Sequence, residues 1–135
     1  MSIQGLKKLQ VWVRAKDYAV KVYKQVLPLL PSEEKWSLNQ QLRRSSVSIS
    51  ANIAEGYGRY SQAAYRNHLS IARGSAFESE SWLDLLIRRK YVSEEAGEML
   101  LSLCIEIQKL VTYRMKSLSS GKTYALKDEG ATYET

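Results

Sequence analysis

Apolar residues return every three or four positions along most of the chain, which is the period of an α-helix. Leu9, Trp12, Ala15, Ala19, Val22 and Val26 mark a first face between about Leu6 and Leu27, ended by Pro28 and Pro31. Leu38, Leu42, Ser45, Ile49 and Ile53 mark a second, from Ser32, with two acids in its first turn, to Glu55, with Gly56 as the stop. Tyr65, Leu69, Ala72, Ala76, Ser79, Leu83 and Leu86 mark a third, opened by Ser61 as N-cap and running to about Lys90. Leu100, Leu103, Cys104, Ile107, Val111, Met115 and Leu118 mark a fourth, starting at Ser93 and fading after Leu118. Four long helices joined by short turns predict an all-α fold, an antiparallel up-down four-helix bundle over residues 1–118. Residues 119–135 lose the period and are expected to form a mobile C-terminal tail.

The apolar surface looks larger than one bundle needs. Val13, Tyr18 and Val20 widen the first face beyond half the helix circumference. The second helix carries Trp36, Val47, Ala51 and Ala54 opposite its core line, mostly small side chains that allow close approach. Together with Trp12, these residues are the expected oligomer interface.

Composition removes most chemistry. One cysteine, Cys104, and one histidine, His68, among 135 residues exclude a disulfide framework, a cysteine-built zinc site and a polyhistidine centre. His68 has no glutamate three residues before it, so the bundle di-iron pattern fails, and no metal or other cofactor is expected. Gly56-Tyr57-Gly58 follows a helix rather than a strand and is no phosphate loop. His68 reads as a partly buried, hydrogen-bonded side chain and Cys104 as a small core residue. No catalytic residue is assigned; an enzyme would need Glu78, His68 and Arg44 to converge in a pocket. Glu94, Glu95 and Glu98 suit a helix N-terminus. No apolar run approaches the ~18 residues of a membrane span. MSIQGLKKLQ carries no apolar signal stretch, so a cytoplasmic protein is expected.

The net charge of +6 turns attention to anions. Lys7, Arg14 and Lys21 recur every seven residues, about 10.5 Å apart on a helix. Such a row suits a phosphate backbone, or is simply a solvated face. Arg43, Arg44, Arg59 and Arg66 flank the second turn, with Tyr57 and Tyr60 interleaved to stack unpaired bases. Arg44, Ser48, Asn52 and Glu55 form a polar stripe beside the second core line. Packed against a neighbour it would form a structural network, with Arg44 or Arg43 pairing with Glu55 or Glu78; a ligand contact and a solvated face are the other two readings.

Within Gln40 to Arg59, the run from Gln41, Gln-Leu-Arg-Arg-Ser-Ser-Val-Ser-Ile-Ser-Ala-Asn-Ile-Ala-Glu-Gly-Tyr-Gly-Arg, resembles the signature of the four-helix-bundle family named for the 23S rRNA intervening-sequence protein. Ile71, Ala72, Gly74, Ser75 and Glu78 meet its second stretch, and Leu9, Trp12 and Ala15 its opening. Ser45 and Ser46 stand where that family often has alanine. The resemblance implies a ring-shaped homopentamer without enzymatic activity. It is similar, too, to the accessory variability protein of diversity-generating retroelements, a basic pentamer that partners a reverse transcriptase and its RNA. On this resemblance Arg44, Asn52, Glu55, Gly56 and Glu78 are fold and assembly determinants first.

Two functions follow as expectations. One is a non-catalytic oligomeric accessory module that binds structured RNA or an RNA–protein complex through Lys7, Arg14, Lys21, Arg43, Arg59 and Arg66. The other is a protein-binding scaffold whose charge serves solubility.

Overall fold

The computed structural model describes residues 3–119; the segment 120–135, with the expected tail, lies outside the described residues. Five α-helices occur: α1 (Ile3–Leu6), α2 (Gln10–Lys21), α3 (Leu38–Tyr57), α4 (Gln62–Arg88) and α5 (Glu94–Ser119). No strand forms among the described residues. Helix α2 packs on α3, α3 on α4, α4 on α5 and α5 back on α2, while the diagonal pairs barely meet. The four longer helices thus close around one core. The short connections force sequential neighbours to run antiparallel.

The inward line of α4 is made of Tyr65, Leu69, Ala72, Ala76, Ser79, Leu83 and Leu86, all buried. Ser61 caps it, its hydroxyl accepting the Ala64 N–H at 3.0 Å. At the other end Lys90 adopts φ 63°, and the Tyr91 N–H donates to the Leu86 carbonyl at 3.0 Å. That left-handed residue followed by a six-to-one bond is a Schellman stop. It turns the chain toward Ser93, whose hydroxyl accepts the Ala96 N–H and opens α5.

The first segment departs from a single helix. Lys7 and Lys8 form a turn, and Leu9 is extended (φ −86°, ψ 114°) with its side chain fully buried. Dropping Leu9 into the core breaks the helix, so Lys7 leaves the row of Arg14 and Lys21. After Lys21 the chain widens into a π-helical turn, Val22–Val26, and then a 3-10 turn, Leu27–Leu29. Pro28 has no N–H for the Lys24 carbonyl, and the looser turn keeps Val22 and Val26 both buried. The second segment starts later than its acids imply. Ser32–Glu34 is one 3-10 turn, and α3 begins at Leu38 after Ser37 (φ −127°, ψ −103°).

Trp12 corrects the interface expectation. It is buried in the chain's own core, with Tyr18 behind it. A bundle helix has two packed neighbours, so its apolar arc exceeds half a circumference without any second subunit. Trp36 (74% exposed), Val47 (38%) and Ala51 remain outside, and Ala54 is half-buried against the core.

Candidate nucleic-acid interface

The polar stripe of α3 faces α4, and a ladder of hydrogen bonds joins the two helices. Arg44 donates to Glu78 Oε2 at 2.7 Å and to Gln41 Oε1 at 2.9 Å, and Trp82 Nε1 donates to the same Glu78 oxygen at 3.1 Å. One turn along α3, the Ser48 and Ser75 hydroxyls share a bond of 2.8 Å, and Asn52 Nδ2 donates to Ser48 Oγ and to its carbonyl, both at 3.0 Å. His68 Nδ1 donates to Asn52 Oδ1 at 3.3 Å, and its Nε2 lies 3.7 Å from Glu55 Oε2. Glu55 accepts from Arg59 at 2.6 Å. That bond, with His68 close by, holds its carboxyl below the ordinary range. The ladder ends at Gly56, where an added Cβ would stand 2.8 Å from His68 Cβ and 3.2 Å from the Tyr65 carbonyl. The helices meet closely because no side chain stands there.

Arg44, His68 and Glu78 do not converge. Arg44 and Glu78 pair, but His68 sits ten residues from Glu78 on the same helix, about 15 Å along its axis. Cys104 is buried, donates to the Ala76 carbonyl at 3.1 Å, and has its pKa pushed up to about 12 by burial. A thiol so held stays protonated and is a poor nucleophile. Among the described residues no group of acidic, histidine or cysteine side chains is arranged to hold a metal ion. No helix there is long and apolar enough to cross a membrane.

The six sequence-chosen cations do not form one surface. Arg14 lies 3.6 Å from Glu106 on α5, Lys21 bonds Asp17 at 3.1 Å and Arg59 bonds Glu55. Lys7 stands in the turn before α2. Arg43 and Arg66 are exposed and have no ion-pair partner among the described residues. Of the two candidate stacking rings, Tyr60 is fully exposed, but Tyr57 is buried edge-on against Tyr65, with centroids 6.4 Å apart. Tyr57 is therefore a packing residue, a correction that follows from its place at the last turn of α3.

A cleft of about 490 Å³ opens where the π-helical turn after α2 meets α3, lined by Tyr23, Gln40, Gln41, Arg43, Arg44 and Val47. It offers the Arg43 guanidinium, unpaired among the described residues, Arg44 already bonded to Glu78 and Gln41, two side-chain amides and one half-exposed phenol, with no carboxylate among its lining residues. Guanidinium groups suit phosphates, amides suit base edges, and a tyrosine suits a base face. Tyr23 lies off the apolar line of the first segment and carries no sequence signal; only the packing of that turn on α3 brings it to Arg43.

Residues 7–113 match the family model described as 23S rRNA-intervening sequence protein. The chain belongs to that family. It is also similar to a crystal structure from Bacteroides thetaiotaomicron VPI-5482, a protein with unknown function from the S23 ribosomal protein family. The identity is 36% and the TM-score 0.73, over 78% of this chain and 98% of that one. No curated protein matches the chain. Asn52, Glu55, Gly56, Ser75 and Glu78, on which the family signature rests, all lie along the seam between α3 and α4.

Proposed function

We propose that this member of the 23S rRNA-intervening sequence family is a non-catalytic RNA-binding accessory module. It acts as a ring-shaped homo-oligomer, with a pentamer favoured, on structured RNA or on a complex of RNA with a protein such as a reverse transcriptase. The observation that carries the reading is the cleft holding Arg43, Arg44 and Tyr23, on a bundle whose residues 1–118 sum to +7. Repetition around a ring multiplies that field and draws a polyanion to it. Exposed Trp36 and Val47 supply apolar surface for contacts between copies.

The second reading is a scaffold that binds only protein. The ion pairs that occupy Arg14, Lys21, Arg44 and Arg59 favour it, because paired cations offer less to phosphates.

Native mass measurement with and without added RNA separates the two. The first reading expects a multimer that retains RNA, with affinity falling as salt rises. Arg43→Glu should weaken that retention and lower the slope of log affinity against log salt by about 0.7–0.9 for each lost phosphate contact. A multimer that holds no RNA at low salt leaves the scaffold; a monomer removes the ring.

A further inference from the structure

Helices α4 and α5 frame a second groove that the sequence reading did not single out. Its volume is about 340 Å³, the low end of the range for small-molecule sites and enough for one nucleobase. Arg73, Lys109 and Lys116 ring it, and Phe77, Ile105 and Tyr113 give it an apolar floor. No carboxylate is among its lining residues. Lys109 and Lys116 are two turns apart on α5, about 10.5 Å, and Arg66 lies two turns from Arg73 on the same face of α4. The cations thus form two facing rows rather than a single contact.

The groove is also ordered from within. Arg73 Nε donates to Thr112 Oγ1 at 2.9 Å, and Thr112 donates to the Gln108 carbonyl at 2.8 Å. That anchor lays the Arg73 guanidinium over Phe77, 5.0 Å from the ring centroid. A guanidinium held over an exposed aromatic ring makes a surface on which a base can stack. At the other end the seam turns acidic: Glu80 accepts from Gln108 at 2.7 Å, and Asp84 pairs with Arg88. An anionic chain is therefore welcome from Arg66 to Phe77 and repelled beyond.

We propose that this groove binds a single-stranded RNA segment, with one base against Phe77 and Arg73 and the flanking phosphates on Lys109 and Lys116. The inference rests on the RNA-binding reading and adds a site and a strand state to it. A double helix does not fit, because its bases are stacked internally and show no face to Phe77.

The test uses the full chain and two fluorescein-labelled RNAs, an oligouridylate of about 15 nucleotides and a blunt duplex of equal length. Lys109→Glu with Lys116→Glu should weaken single-strand binding at least tenfold and lower the salt slope by about 1.4, for two phosphate contacts. Phe77→Ala should weaken it roughly 5- to 150-fold, the range for stacking one base, with the salt slope and duplex binding unchanged. All three side chains are exposed, so unchanged thermal melting confirms that the variants fold. Parent-like single-strand binding by both variants overturns the groove and leaves the RNA-binding reading standing, with Arg43→Glu then locating the contact. A loss confined to the lysine variant overturns it as well, since cations alone would hold the strand. A parent that binds neither RNA removes both proposals. Retention of labelled oligoglutamate instead, abolished by the lysine variant, assigns the groove to an acidic protein segment and overturns the RNA site.

Discussion

Two glycines of the same signature should respond to alanine in opposite directions. Around Gly74, midway along α4, nothing lies within 4 Å of an added Cβ. Alanine there meets no atom and gains the full helix preference, about 0.8–1.0 kcal/mol. At Gly56 the new methyl would sit 2.8 Å from His68 Cβ, 3.0 Å from Tyr65 Cδ1 and 3.2 Å from the Tyr65 carbonyl. Saturated carbons rest at roughly 3.5–4.0 Å, so α4 must retreat by most of an ångström. Neither a Cβ nor a carbonyl can swing aside as a flexible side-chain end does. Overpacking of this kind costs about 1–3 kcal/mol, and the helix gain is smaller in the last turn of α3. Gly56→Ala should therefore lose about 1–2 kcal/mol, and the two variants should differ by about 2–3 kcal/mol. At roughly 3–5 °C per kcal/mol for a domain of this size, their melting temperatures should stand about 6–15 °C apart. Circular dichroism at one fixed protein concentration reads this, because melting of any assembly would depend on concentration. A Gly56→Ala protein that melts at or above the parent would falsify the close-approach argument. A Gly74→Ala protein that melts below it would show that another chain covers the outer face of α4.

Further outcomes follow from single residues. Lys90→Gly should stabilise by about 0.5–1 kcal/mol, the left-handed strain of ~1–2 less the entropy cost of glycine, read as a higher urea midpoint. Glu55 titrates below its ordinary 4.5 because Arg59 donates to it, with His68 adding to the effect. Its contribution to stability is therefore present above about pH 4.5 and is lost as pH falls through the lowered value. Arg59→Gln should move the Glu55 carboxyl back up in an NMR titration; an unmoved midpoint would refute the pairing. Cys104 should resist a thiol reagent at pH 8 in the folded protein and react fully in denaturant, since burial pushes its pKa to about 12. Rapid labelling of the native chain would contradict that burial.

The bundle was legible where each decision is local. The seven inward residues of α4 follow from period alone, and Ser61 and Ser93 announce their helices because capping needs only four neighbouring residues. The pairs Asp17–Lys21 and Glu55–Arg59 sit at i, i+4, a spacing that already tells which cations are occupied. Other features needed the third dimension. The burial of Trp12 depends on α2 having neighbours on two sides, and Arg14 is neutralised from α5, ninety-two positions away along the chain. The break at Leu9 has no glycine or proline to mark it; the pull of one fully buried leucine makes it. Of the cation–aromatic groove, only the seven-residue spacings of Arg66 to Arg73 and Lys109 to Lys116 exist in the sequence. Their facing each other across Phe77 is a product of how α4 and α5 pack.

Family signature and candidate binding surface overlap along the chain, since Arg43, Arg44 and Arg73 fall within the signature stretches, but the seam residues of the signature point elsewhere, and that limits what membership can say about ligand. Asn52, Glu55, Gly56, Ser75 and Glu78 spend their hydrogen-bonding and steric character on holding α3 against α4. Any chain that keeps them keeps the seam, whatever its surface carries. Gly74 is a signature position at which an added Cβ meets nothing within 4 Å among the described residues. Arg43, Arg73, Lys109 and Lys116 line the clefts and take no part in the α3–α4 hydrogen-bond ladder. A relative with the same seam but neutral residues at these four positions would share the bundle and lose the proposed phosphate contacts. Within such a family, RNA affinity should track the charge at Arg43, Arg73, Lys109 and Lys116 and not the retention of the seam residues Asn52, Glu55, Gly56, Ser75 and Glu78.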